Sequence, residues 1–181
     1  MLDGHQISLR DRLRHDTSDD HARLDALFGT LDLTSAAGIT RFFAAHRAGF
    51  AAMRDVFPGD GGFVAFFEVD EMVAALDADL RTLKGKAPSL SLEPVGHQAF
   101  DHIILGSRLG TAVLRRTWQT ATDDRVRAAS RYFSLAGKKL SWQAHTARLH
   151  VQSSDGHTAD RVIDETRTLY TLFERAYHAT E

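Results

Sequence analysis

Two short stretches carry residues whose types and spacing suit chemistry. The first is "LRHDTSDDHARLD", residues 13–25. Stepping by three or four from Leu13 gives Thr17, His21, Leu24 and Phe28, which places His21 on the inward, apolar stripe of a helix. A buried neutral imidazole is a natural metal ligand, and its second ring nitrogen then needs an orienting acceptor. Asp25, one turn further on, offers that acceptor. The plainer alternative is a core histidine satisfied by hydrogen bonds. The second stretch is "LGSRLGTAVL", residues 105–114. It reads as helix interior yet holds Gly106 and Gly110, each costing about 0.8–1 kcal/mol relative to alanine. The two glycines share a face with Ala99, Ile103 and Val113. Either another helix packs closely there, or a flat ligand lies against bare backbone.

Helices must position both stretches, and the periodicity is helical nearly throughout. Leu9, Leu13, Leu24, Leu27 and Phe28 form one stripe, Ser8 suits its N-cap, and the short polar residues 16–20 mark a kink or break. A second helix runs from Thr34 or Ser35 to Phe57 and ends in a turn over 58–62. Further helices are expected over 69–83, 95–118, 123–135, 138–151 and 159–177, with Gly137 separating two of them. No segment alternates as a strand, and no internal repeat is visible. The expectation is an all-α multi-helix bundle of about seven helices in a single domain, residues 1–181.

Composition narrows the chemistry. The chain has no cysteine, which excludes disulfides, thiolate nucleophiles, zinc–thiolate sites and iron–sulfur clusters. A net charge of -2 recruits neither nucleic acid nor an anionic membrane. The first residues lack the apolar core of a signal peptide, and no apolar run is long enough to span a membrane. A cytoplasmic location is expected.

Together the two stretches resemble the heme oxygenases, and most closely the bacterial, biliverdin-producing enzymes associated with bacteriophytochromes or iron acquisition. Arg14, Thr17, His21 and Asp25 fill the places of that family's proximal-helix pattern, and "LGSRLGTAVL" is similar to its distal helix. The final helix, "RVIDETRTLYTLFERAY", is a weaker match through its aromatic residues. The resemblance implies a heme oxygenase-like bundle with heme between the first helix and the glycine-bearing one. It implies His21 as axial iron ligand, with Asp25 behind it. Arg14, Thr17, Lys139, Tyr170 and Phe173 become cofactor-binding residues, and Gly106, Ser107 and Gly110 the catalytic surface. The implied reaction is oxidative cleavage of heme, both cofactor and substrate, to biliverdin, carbon monoxide and ferrous iron. Oxygen and an electron donor such as ferredoxin or flavodoxin, with its reductase, are the implied partners, and a bacteriophytochrome is a possible biliverdin acceptor.

The chain departs from the family pattern at three places. Ser107 stands where animal members carry an aspartate that organises distal water; its hydroxyl donates and accepts but is short and uncharged. Thr111 replaces a smaller residue and is expected to tighten the glycine notch. Gln143 follows Trp142 where an arginine often binds a heme propionate. Arg108 is expected to point sideways from the glycine face.

Tyr170, Phe173 and Tyr177 make one face of the last helix aromatic, as core or as pocket wall. Arg115, Arg116 and Lys138 read as a solvated basic rim on which an acidic electron donor could dock. His97, His102, His145 and His150 read as surface residues, because a spacing of five spreads each pair over different helical faces. A di-iron oxidase would need Glu-x-x-His pairs, and the chain has none. The main rival is a heme-binding sensor or carrier that does not degrade heme, favoured by Ser107 and Gln143. A heme-free interaction protein is disfavoured by the intact set of Arg14, Thr17, His21 and Asp25.

Overall fold

The computed structural model describes residues 7–57, 66–135 and 139–181. The described residues form nine helices: α1 Leu9–Asp16, α2 Ser18–Gly29, α3 Ala36–Asp55, α4 Phe66–Leu83, α5 His97–Trp118, α6 Asp124–Ala128, α7 Arg131–Ser134, α8 Lys139–His150 and α9 His157–His178. The only β pairing among them is an isolated bridge between Ser8 and Ser153. The expected turn over 58–62, Gly137 and Lys138 lie outside the described residues.

Two of the expected helices are each divided in two. The first breaks at Thr17. There the Thr17 hydroxyl donates to the Leu13 carbonyl at 2.8 Å and the Ser18 hydroxyl to the His15 carbonyl at 2.8 Å. Side chains thus occupy the last carbonyls of α1, and α2 starts afresh with Thr17 as its N-cap. The helix expected over 123–135 breaks at Ala129, whose ψ of 71° is not helical. Asp79, buried on α4, restarts it by accepting the backbone N–H of Arg131 at 3.0 Å and of Tyr132 at 2.9 Å.

Helix α3 is the centre of the core. Ile39, Phe42, Phe43, Phe50 and Met53 are buried among small alanines that let α4 and α9 approach. Gly49 is required there: a β-carbon would stand 2.5 Å from Phe173 Cε1 on α9. A smaller apolar cluster of Leu9, Leu13, Leu149, Ala159, Val162 and Ile163 ties α1 and α8 to the start of α9. Arg12 reinforces it through Asp160 at 2.7 Å and the Ser154 carbonyl at 2.5 Å.

Helix α9 is also a floor. Both α2 and α5 pack on it, whereas these two helices meet each other only marginally. The space between α2 and α5 over α9 is taken as the candidate groove, with α2 and α5 as its walls.

Candidate functional site

On the α2 wall, His21 Nδ1 lies 3.0 Å from Asp25 Oδ2, and the His21 ring meets the Tyr170 ring edge-on at 5.8 Å. The expected Asp25 contact is therefore formed, but the expected burial is not: the His21 side chain is 58% exposed. Leu13, Thr17, Leu24 and Phe28 all face inward, so the stripe continues past Thr17, and His21 lies on an uncovered part of it against the Tyr170 ring. The inward positions of α2 are Leu24, Leu27 and Phe28. Thr17 is buried and stands beside the Tyr170 phenol. Burial pushes that phenol up to about 12, against the opposing effect of the Thr17 hydroxyl, so Tyr170 stays protonated. Arg14 is exposed at the end of α1.

On the α5 wall, the apolar face begins inside the core and emerges from it. Ala99 and Ile103 are buried, Gly106 is half-buried, and Leu109, Gly110 and Val113 are exposed. The two glycines differ in surroundings. A β-carbon on Gly106 would stand 3.3 Å from Trp142 Cζ3, whereas one on Gly110 would meet nothing within 4 Å. Close packing thus accounts for Gly106, and open space adjoins Gly110.

The polar residues of this stretch turn elsewhere. The Ser107 hydroxyl donates to the Ile104 carbonyl at 2.8 Å. Thr111 is buried away from the notch, donating to the Ser107 carbonyl at 2.9 Å and lying 3.3 Å from the Tyr132 hydroxyl, so it does not tighten the notch. Arg108 does point away from the glycines, donating to the Leu135 carbonyl at 2.6 Å with its guanidinium over the Tyr132 ring.

On α9, Tyr170 reaches the groove through its contact with His21. Phe173 is turned into the core, against Gly49 and Phe50. Tyr177 is also core, its hydroxyl 2.8 Å from that of Thr30. Lys139 opens α8, and its side chain lies outside the described residues; Gln143, Arg115 and Arg116 are exposed.

Of the histidines expected on the surface, His145 is buried and His102 is half-buried. His145 is 2% exposed, and its ring centre lies 5.6 Å from that of His102. Trp142 covers both, at 5.3 Å from His102 and 6.0 Å from His145. His102 Nδ1 and His145 Nε2 are sealed from solvent and have no hydrogen-bond partner. Burial pushes the two imidazoles down to about 3 and about 4, so both are neutral at physiological pH. The signal for His102 was present in the sequence: stepping back four residues from Gly106 reaches it. His97 and His150 are exposed, as expected.

Among the described residues no three His, Asp or Glu side chains gather to hold a bare metal ion. No described helix is long and apolar enough to cross a membrane. An open groove on α3, α4 and the segment after α4, lined by Arg47, Asp77, Leu80, Arg81 and Lys86, includes neither His21 nor Gly110. No family model and no curated protein matches the chain.

Proposed function

We propose that this protein is a heme oxygenase that holds heme in the groove between α2 and α5 and cleaves it to biliverdin, carbon monoxide and ferrous iron. What supports the reading is the His21–Asp25 pair on α2 together with the bare backbone at Gly110 on α5, two helices that both pack on α9. The residues present fit the group. A contact of 3.0 Å from Nδ1 to a carboxylate keeps the proton on that nitrogen and leaves the Nε2 lone pair for iron. The edge of Tyr170 restrains the imidazole ring. Leu109 and Val113 present exposed apolar surface that suits a macrocycle, and Gly110 adds bare backbone with open space before it. Trp142 occupies the Gly106 half of the notch, so a flat ligand meets the backbone at Gly110 first.

When bound, heme supplies both the redox-active iron and the porphyrin that is consumed. The chain's own work is to orient one imidazole, exclude bulk water with apolar walls, and place Arg14 for a propionate. Electrons come from a donor of the ferredoxin or flavodoxin class, for which the exposed Arg115 and Arg116 offer a basic docking rim. A second reading, a heme sensor or carrier that leaves its ligand intact, is favoured by one observation: the Ser107 hydroxyl is engaged by the Ile104 carbonyl and does not serve the groove.

The test is an absorbance time course of the protein with one equivalent of hemin, before and after reductant, with catalase present. Decay of the Soret band with growth of broad red absorption supports the oxygenase. A Soret band that persists through reduction in air supports the carrier, and no Soret shift at all removes heme from the account.

A further inference from the structure

We propose that the groove on α3, α4 and the segment after α4 binds the phosphate monoester of a small organic molecule. The inference is independent of the heme reading, because this groove includes neither His21 nor Gly110. Its cavity of about 330 Å³ falls within the range of small-molecule sites. Three cations line it: Arg47 from α3, Arg81 from α4 and Lys86 from the segment after α4. One carboxylate, Asp77, opposes them, and Leu80 and Ala87 supply apolar surface. Cations in the last turn of a helix, as Arg81 is in α4, ordinarily complement the helix dipole. Arg47 belongs to another helix, and its charge joins theirs only because α3 and α4 pack side by side.

The groove is built rather than accidental. Arg47 Nε donates to Asp77 Oδ1 at 2.9 Å, which holds the guanidinium in place and leaves its Nη groups for a ligand. Arg81 and Lys86 are exposed, and neither charge has an ion-pair partner among the described residues. The turn that carries Lys86 is fixed as well. The Gly85 N–H donates to the Leu80 carbonyl at 2.8 Å, and Lys84 before it takes a φ of 58°. A β-carbon on Gly85 would stand 2.5 Å from Thr40 Cγ2, so the bare residue lets the turn lie on α3. A planar carboxylate is satisfied by one bidentate arginine. Three cations on three separate segments, offset by one carboxylate, instead suit a group with a charge of about −2 and three terminal oxygens, which is a phosphate monoester. The chain's net charge of -2 does not suit an extended polyanion.

The probe is phenyl phosphate, titrated into the heme-free chain at constant ionic strength and read by amide chemical shifts. Saturable shifts are expected at Gly85, Lys86 and Ala87. Arg47→Gln and Arg81→Gln are each expected to weaken binding about tenfold, the loss of one charge-assisted hydrogen bond. Arg81→Gln, an exposed substitution, carries the test if loss of the Asp77 partner disturbs the Arg47 variant. Asp77→Asn keeps an acceptor for Arg47 and removes the opposing charge, so it is expected to tighten binding about threefold. Arg54→Gln makes the same charge change on α3 outside the groove and is expected to leave binding unchanged. Benzoate, planar and singly charged, is expected to bind about tenfold more weakly than phenyl phosphate. Absence of saturable shifts overturns the inference. So does an equal loss in Arg54→Gln, which reduces the effect to net charge, and so does equal affinity for benzoate. Co-sedimentation with vesicles of phosphatidylcholine and phosphatidic acid, without binding of phenyl phosphate, also overturns it, since the groove then reads a lipid headgroup.

Discussion

The Trp142 ring packs on the bare backbone of Gly106, 3.3 Å from where a β-carbon would stand, while four residues on Gly110 faces open space. The two glycines therefore answer to different demands, and substitution separates them. Gly110→Ala removes the helix-interior penalty with no steric cost, so it is expected to raise stability by about 0.5–1 kcal/mol in urea denaturation. Gly106→Leu drives a branched side chain into Trp142 and is expected to cost about 1–3 kcal/mol. Gly110→Leu is expected to fold normally and to lose heme turnover. Unchanged turnover in that variant would remove Gly110 from the site.

His21 is more than half exposed, and it contacts Asp25 and the Tyr170 ring. Removing it leaves the core untouched. His21→Ala is expected to keep the melting temperature of the wild type within a few degrees while losing the axial iron–nitrogen bond and most turnover. Asp25→Asn is expected to keep the ligand and weaken heme retention, because the carboxylate that orients the imidazole is gone. Absorbance spectra and heme transfer to an apo-acceptor distinguish the two. A wild-type Soret band and wild-type turnover in His21→Ala would remove the residue from the site.

The pH dependence of stability follows from three histidines with little or partial exposure, His46, His102 and His145. Burial lowers His46 to about 4, His102 to about 3 and His145 to about 4, from an ordinary 6.5. Between these values and 6.5 the unfolded chain binds protons that the folded chain refuses. Stability is therefore fully present above about 6.5 and is lost as pH falls toward about 4. Each histidine contributes a slope of about 1.4 kcal/mol per pH unit within that window. His102→Gln is expected to lower the slope by about one such increment, as measured by urea titrations at a series of pH values. An unchanged slope would mean that His102 is protonated without unfolding.

What was legible in the chain was local. The apolar period of three to four residues located α3, α4, α5, α8 and α9 close to their observed limits, because each buries a stripe written in its own residues. The short polar run at 16–20 marked the break at Thr17, because the competing hydroxyls belong to the segment itself. Relationships across helices were not legible. The exposure of His21 depends on how far α9 covers that stripe, which the residues of α2 alone do not record. The burial of His102 and His145 depends on α5 and α8 lying together, which a spacing counted within one helix does not reveal. Thr111 was misplaced for the same reason: the hydroxyl that draws it inward is on Tyr132, in another helix.

The break at Ala129 shows the same dependence at its strongest, and it yields the sharpest stability test. Nothing between 123 and 135 announces it, because the group that restarts the helix is Asp79, on α4. This fully buried carboxylate accepts two backbone N–H groups at 2.9 and 3.0 Å. Burial raises its pKa and the two N–H groups oppose that, as expected for an anion held by donors inside a core. Asp79→Ala leaves both N–H groups without an acceptor and opens a cavity beside Tyr132, with an expected loss of about 2–4 kcal/mol in denaturant melts. Asp79→Asn keeps the shape and one acceptor oxygen and is expected to cost less than half as much. Because Tyr132 anchors Arg108 and Thr111, the same variant is expected to loosen the back of α5 and to raise amide exchange between residues 104 and 112. An alanine variant as stable as the wild type would show that the helix restart needs no cap.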